Sequence, residues 1–499
     1  MQIRAPGKLL FLASLFFSAV TVDATTYYVD FVGGSDTNSG TTNSSPLQHL
    51  PGMIGCTSTC SSLSPQAGDQ IILKGGVTWP NAVFPISWKW SGSSGSNIYV
   101  GVDQTWYSGS SWTRPIFDAG GIPISGTYNE FIRALSTSYV QWDNIEMKGI
   151  NWSSNSAYGN LACGVFSAGN NITISNWYVH GWTHTGGATS DSFICVLGDT
   201  NPPNMTGSVI QYSVFDGTDS TNGGDSGSFT YAWPSITYSV VHDCSNALLL
   251  VGHGETGNNL IYNVHKSFDA SQHENGIEAI GSDGGTYYIH DNVIHDVFGE
   301  CLMIGNPGET DFVWNNVVYE GANGNCNTMD FPQNTQTGAA LHYWNNTVVP
   351  RSGAYCFRQV GTLATPIIDI ENNHCITTEA LSNSLSSGNL TVQTNLVMTP
   401  NTASSQGYTS TQTFAYSPTS AGRATVQAGT NLSSLASGPT ATMVQDTTYA
   451  CTVDGTNHVI CPARTSISRS SLWDVGAYQF SSSVVQKPAP PTNLNAIVN

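Results

Sequence analysis

The sequence predicts an all-β solenoid, and three observations point that way. Only 9% of the 499 residues are charged, while 51 are glycine, a composition suited to many short strands and turns rather than charged amphipathic helices. One pattern then recurs along the chain: alternating apolar residues, an Asn or Ser, and another apolar pair. Taking that polar residue as the anchor, the series runs Asn144, Asn176, Ser213, Ser239, Asn263, Asn292, Asn316, Asn346, Asn373 and Asn395. Finally, successive anchors are 22 to 37 residues apart, a steady minimum with variable excess, as expected when each coil has a fixed girth and insertions leave as loops. Asn suits the bend, because its side chain bonds neighbouring backbone and can stack as a ladder from coil to coil. A sandwich or propeller would show two-residue Asn-Gly or Asp-Gly hairpins between the anchors, and these are scarce.

The elements follow in order. Lys8 precedes the apolar run Leu9 to Val22, with Val22 and Ala24 placed for a signal peptidase. Residues 1–24 therefore read as a secretion signal, since the run is shorter than the roughly 20 residues of a spanning helix. Residues 25–130 are expected to form an N-terminal cap and first coils, and 131–400 the regular solenoid. An irregular C-terminal coil over 401–480 is expected to pack on it, followed by a Pro-rich tail over 481–499 that could lead to a further module. A net charge of −19 excludes nucleic acid as a partner, because phosphate binding needs clustered cations. An exported monomer, free of the membrane, is the expected state.

The eleven cysteines fit export. Cys56 with Cys60 and Cys451 with Cys461 are the local pairs to expect, the second around the turn signal Asp454-Gly455. Cys195 and Cys301 read as core filling, and no zinc-finger spacing appears. Trp79, Trp88, Trp90, Trp106 and Trp112 crowd the first coils; most are expected to fill the core, although an exposed indole can stack on a sugar.

Three stretches carry a resemblance: Tyr27 to Asp30 with Gly33 to Asp36 and Asn38 to Gly40; Gly68 to Gly76; and Trp473 to Tyr478. They resemble the opening, first coil and closing stretch of right-handed parallel β-helix, pectin-lyase-like, secreted carbohydrate-active enzymes. The resemblance implies that fold and a polysaccharide substrate, but leaves lyase, hydrolase and esterase chemistries open.

Candidate chemistry follows from the coil geometry. Neighbouring coils lie about 4.8 Å apart and alternate side chains face outward. Four segments register on their closing glycines, Gly198, Gly252, Gly281 and Gly305. That register puts Ile277, Cys301, Ala279 and Met303 inside, and Glu278 and Glu300 outside on consecutive coils, with Cα atoms roughly 8 Å apart. Such a spacing suits two carboxylates flanking a glycosidic bond. Glu278 and Glu300 are thus the expected catalytic pair, with Glu274 as substitute, although a solvated carboxylate is the competing reading for each. His273, Asp225, Asp330, Arg358 and His295 are expected to border the strip and bind substrate.

His242-Asp243 and His295-Asp296 fall three and four residues past an anchor, which reads as a turn feature of the repeat. Gly252-His253-Gly254 is similar to a triplet of polygalacturonase-like hydrolases, but the upstream Asp-Asp pair is missing, so His253 reads as a loop residue at the groove edge. Hydrolysis by paired carboxylates needs no cofactor. β-Elimination on a uronate polymer is the alternative, and would need Ca²⁺, for which Asp269, Glu274 and Asp296 are the candidate ligands. A non-catalytic, glycan-binding adhesion solenoid is the third reading.

Overall fold

The computed structural model describes residues 24–125, 129–152, 163–184, 193–199, 205–220, 227–251, 253–265, 274–279, 284–306, 308–321, 326, 329–331, 339–360, 367–385, 389–446, 451–461, 467–469 and 471–481. Three long sheets of 13, 10 and 12 strands run through it, and every pairing within them is parallel. The chain visits the 13-stranded, 12-stranded and 10-stranded sheets in turn, so that consecutive passes stack as rungs. The protein is therefore the expected right-handed parallel β-helix. Among the described residues no helix is long and apolar enough to cross a membrane.

Inward columns fill one continuous core. Ile236, Ile289, Val313 and Ile370 stack from the 13-stranded sheet, and Leu248, Ile277, Leu302 and Phe357 from the 10-stranded one. Trp79 and Trp88 join this core rather than the surface, since large rings bury more apolar area than any other side chain.

The corner between the 13- and 12-stranded sheets explains the repeat. From Val140–Asp143 onward, one residue of each coil turns through the left-handed region: Asn144, Asn176, Tyr212, Tyr238, Asn258, Asp291, Asn315, Asn345, Asn372 and Thr394, with φ between 51° and 59°. Asn and Asp tolerate that conformation best. The following residue points inward and builds a ladder: Asn292 donates to Asn316, Asn316 to Asn346, Asn346 to Asn373 and Asn373 to Asn395, each at 3.0 Å. Ser213 and Ser239 continue it toward the N-terminus through backbone N–H bonds. Two anchors thus sit one residue early, since Asn144 and Asn176 are turn residues. A third is displaced: Asn259 is the ladder member, while Asn263 lies within Leu260–Val264 on the next sheet, at its own left-handed position with φ 54°.

The C-terminal segment packs on the solenoid. Phe414, Cys451 and Tyr478 cluster with Val240, Leu260, Val293 and Val317, and Trp473 with Trp314 and Trp344. The buried Arg114 donates to the carbonyls of Thr456 and Asn457, tying the antiparallel hairpin of Thr452–Val453 and Val459–Ile460 to the early coils. Both local disulfides form, Cys56–Cys60 and Cys451–Cys461. Cys195 is a buried free thiol, but Cys301 is not plain core filling: it bonds Cys326, and Cys356 bonds Cys375.

Candidate active site

Glu278 lies on Ile277–Ala279 of the 10-stranded sheet, between the inward Ile277 and Ala279, and is itself buried, with 7% of its surface exposed. In register it stands between Met303 and the buried Leu249, and over the next coils Asp330 and Arg358 follow Met303. The glycine register holds between Leu248 and Ile277 but slips by one at the next coil, where Ile277 pairs with Leu302 instead of Cys301. Met303, expected inside, therefore faces out beneath Glu278. A slip of one residue reverses every side chain in a strand, yet Glu300 escapes the reversal because it precedes the strand Leu302–Met303. The first expected segment also sits one coil further away, since Gly227–Tyr231 intervenes between Phe193–Leu197 and Asn246–Leu250.

The side chains of this strip form one hydrogen-bonded group. The Asn275 amide donates to Glu278 Oε2 at 3.1 Å, and its oxygen accepts the backbone N–H of Glu300 at 2.9 Å. The Glu300 carboxylate in turn meets Arg358 Nη2 at 3.1 Å. The Cys301–Cys326 disulfide anchors the residue next to Glu300. Asn275 was missed by sequence reasoning; as a polar residue two before an inward apolar column, its only signal was that position. Glu274, buried with φ 59°, turns the chain into this strand, and its carbonyl accepts the N–H of Gly299. The backbone of Asp330 pairs in register between Met303 and Arg358. His273, Asp225 and Asp269 lie outside the described residues.

His295 belongs to another face. Its ring stacks between Tyr262 and Tyr319 on the outer side of the 12-stranded sheet, with centroids 5.4 and 4.8 Å away. A groove of about 400 Å³ opens there, lined by Asp216, His242, Tyr262, His295 and, from the hairpin, Asp454 and Asn457. The His-Asp pairs are the turn feature expected: Asp243 and Asp296 adopt φ of 54° and 53°, each accepting from the Nδ1 of the preceding histidine at 2.7 Å. Burial raises the Asp243 pKa, but hydrogen bonds from His242, His265 and Asn263 outweigh it and hold the carboxyl well below its usual range.

A Ca²⁺ site would need its expected ligands to converge. Asp296 is drawn to His295, on the 12-stranded sheet, while Glu274 stands at the 10-stranded one. The metal-like group found among the described residues is Asp216, His242 and Asp243, whose ligand atoms lie within 4.8 Å of one another. Its carboxylates already accept from Thr218, Tyr178, His242 and Asn263, and its third donor is an imidazole nitrogen. Ca²⁺ takes six to eight oxygens, so this set does not fit it.

No family model and no curated relative matches the sequence. Among solved structures the chain is similar to pectate lyase Pel9A, with 14% identity and a TM-score of 0.43 over 92% of this chain and 98% of that one. It is similar to a rhamnogalacturonan lyase at 14% identity and a TM-score of 0.42, covering 74% and 87% of the two chains. The GH136 lacto-N-biosidase of Eubacterium ramulus gives 14% identity and a TM-score of 0.39, covering 72% and 68%.

Proposed function

We propose that this protein is an exported polysaccharide-degrading enzyme that hydrolyses a neutral or weakly charged glycan with Glu278 and Glu300. The observation that carries the reading is the Asn275 bridge, which links the Glu278 carboxylate to the Glu300 backbone on consecutive coils of one outward face. The paired guanidinium of Arg358 favours Glu300 as the charged partner, acting as base or nucleophile. That leaves Glu278 to protonate the leaving oxygen. Arg358 is the cation a lyase would turn on a substrate carboxylate, and its engagement with Glu300 supports hydrolysis over elimination. Four disulfides support export.

The test is a screen of neutral and uronic-acid polysaccharides with two readouts, new reducing ends and absorbance of an unsaturated product. Reducing ends without that absorbance are expected. Unsaturated product abolished by EDTA would assign a lyase instead, and binding without cleavage an adhesion solenoid. Glu278→Gln is expected to lower kcat by roughly 10²–10⁴-fold with KM little changed; near-normal turnover would remove Glu278 from the machinery.

A further inference from the structure

A second cavity lies on the outer face of the 13-stranded sheet, away from the strip on the 10-stranded one. It encloses about 560 Å³ and is lined by Val209, Pro234, Ser235, His253, Glu255, Tyr288 and, from the C-terminal segment, Pro439, with several hydroxyl residues at its edge. His253 was expected in a loop. It instead opens the strand His253–Gly257, two residues before Glu255 and therefore on the same face.

The cavity holds a built acceptor. Val209, Ser235, Glu255 and Tyr288 stand in one outward column, the last three paired directly in register. Glu255 stays half exposed, and its Oε1 meets His290 Nε2 at 3.3 Å. His290 is buried; its Nδ1 is held by Asp291 at 2.8 Å and its ring stacks on Trp314 with centroids 4.5 Å apart. Gly257 makes this possible, because a Cβ there would lie 2.5 Å from the imidazole. Removing that one methyl-sized obstacle lets a buried cation lie flat and orient a surface carboxylate. Beside it, His253 Nδ1 is a buried atom with no hydrogen-bond partner among the described residues, and burial lowers the pKa of its ring, favouring the neutral form.

We propose that this cavity is an accessory glycan-binding subsite for a neutral sugar unit. Its chemistry is that of sugar recognition: a fixed carboxylate to accept from paired hydroxyls, a neutral imidazole and side-chain hydroxyls to complete the bonds, and Val209, Pro234 and Pro439 to meet the apolar face of a ring. Its volume falls in the range of small-molecule sites. The class of ligand rests on the reading of this protein as polysaccharide-degrading; the cavity and its acceptor do not. Because it belongs to a different sheet from Glu278, one length of polymer can be held here while another is cut.

The experiment uses the full chain carrying Glu278→Gln, so that probes survive, and titrates xylohexaose, mannohexaose and cellohexaose by calorimetry, with trigalacturonate as the acidic probe. At least one neutral probe is expected to bind. Adding Glu255→Gln should remove one binding event per chain or weaken it at least ten-fold, and His290→Gln should do the same through loss of orientation. With Glu278 intact, Glu255→Gln should leave turnover of short soluble substrates unchanged. Unaltered affinity and stoichiometry in both variants, binding of trigalacturonate alone, or no binding of any neutral probe would each overturn the proposal. Normal turnover by Glu278→Gln, together with loss of binding by Glu255→Gln, would remove the proposed catalytic role and leave the subsite standing.

Discussion

Replacing Asn316 with Ala should destabilise the protein far more than the same change at Asn395. Asn316 Oδ1 accepts both the backbone N–H and the side-chain amide of Asn292, at 3.1 and 3.0 Å. Its amide donates to the carbonyls of Ile289 and Trp314 and to Asn346 Oδ1. All three asparagines are fully buried, so truncation orphans the Asn292 N–H with no water to replace the acceptor. One orphaned buried donor costs about 1–3 kcal/mol, and the vacated amide volume adds roughly 1 kcal/mol, giving about 3 kcal/mol in all. Asn395 makes the same type of bonds to Asn373 and the Ile370 carbonyl. It stands at the end of the ladder, however, and is only partly buried, so water recovers most of them and the loss should stay near 1 kcal/mol or below. The assay is equilibrium unfolding in guanidinium followed by tryptophan fluorescence, comparing both variants with the parent. Equal losses at the two positions, or less than 0.5 kcal/mol at Asn316, would refute the ladder as a source of stability.

Two further outcomes depend on pH. Burial depresses the His290 pKa, but hydrogen bonds to Asp291 and Glu255 outweigh it and raise the group to about 9; its support for folding is thus complete below about pH 6.5 and lost as pH rises through 9. The stability gap between the parent and His290→Gln should shrink by about 3 kcal/mol between pH 6 and 9.5, and a constant gap in denaturant titrations would contradict this. Asp311 points into the core between Tyr287 and Leu341 with neither oxygen hydrogen-bonded among the described residues, and burial, then the charge of Glu309, raises its pKa well above the usual range. Its folded-state contribution is therefore present at low pH and lost as pH rises past about 4, so Asp311→Asn should gain stability relative to the parent from pH 4 to pH 8, read as relative Tm.

Coils were legible in the sequence because their cause is local: a two-residue corner needs one residue tolerant of positive φ and one that can bond its neighbours. The anchors that misled did so for the same reason. Asn258 and Asn263 both take left-handed turns, five residues apart at opposite ends of one strand, and composition does not say which faces the ladder. Glycine spacing placed Glu278 between inward neighbours but slipped at Met303, since a glycine after a strand does not fix how the next strand pairs. Cys301–Cys326 and the cavity at Glu255 escaped because they depend on packing between coils. Gly257, Ser235 and Pro439 acquire meaning only when three separate parts of the chain are superposed.

Where the coils vary in length bears on where a substrate can be held. At the ladder corner, Glu309–Trp314 is followed by Val317–Tyr319, Ala340–Trp344 by Thr347–Val349 and Ile367–Glu371 by His374–Ile376, two residues each time. An insertion there would break the left-handed turn and displace the ladder residue, so from Val140–Asp143 onward this corner keeps its two residues, whereas before the ladder begins 14 residues separate Ile98–Gly101 from Ile116–Asp118 at the same corner. Extra chain must enter at the two remaining corners, as between Leu260–Val264 and Ile277–Ala279, or between Phe357–Gln359 and Ile367–Glu371. Both of those corners border the 10-stranded sheet, which within the laddered coils is the one sheet flanked by variable chain on each side. In those coils the 13-stranded sheet borders only one, and its cavity takes its second wall from Pro439 of the C-terminal segment. The Asn ladder thus does more than hold coils together: by forbidding insertions along one edge of the coils it spans, it confines their adaptable chain to the margins of the face that carries Glu278, Glu300 and Arg358.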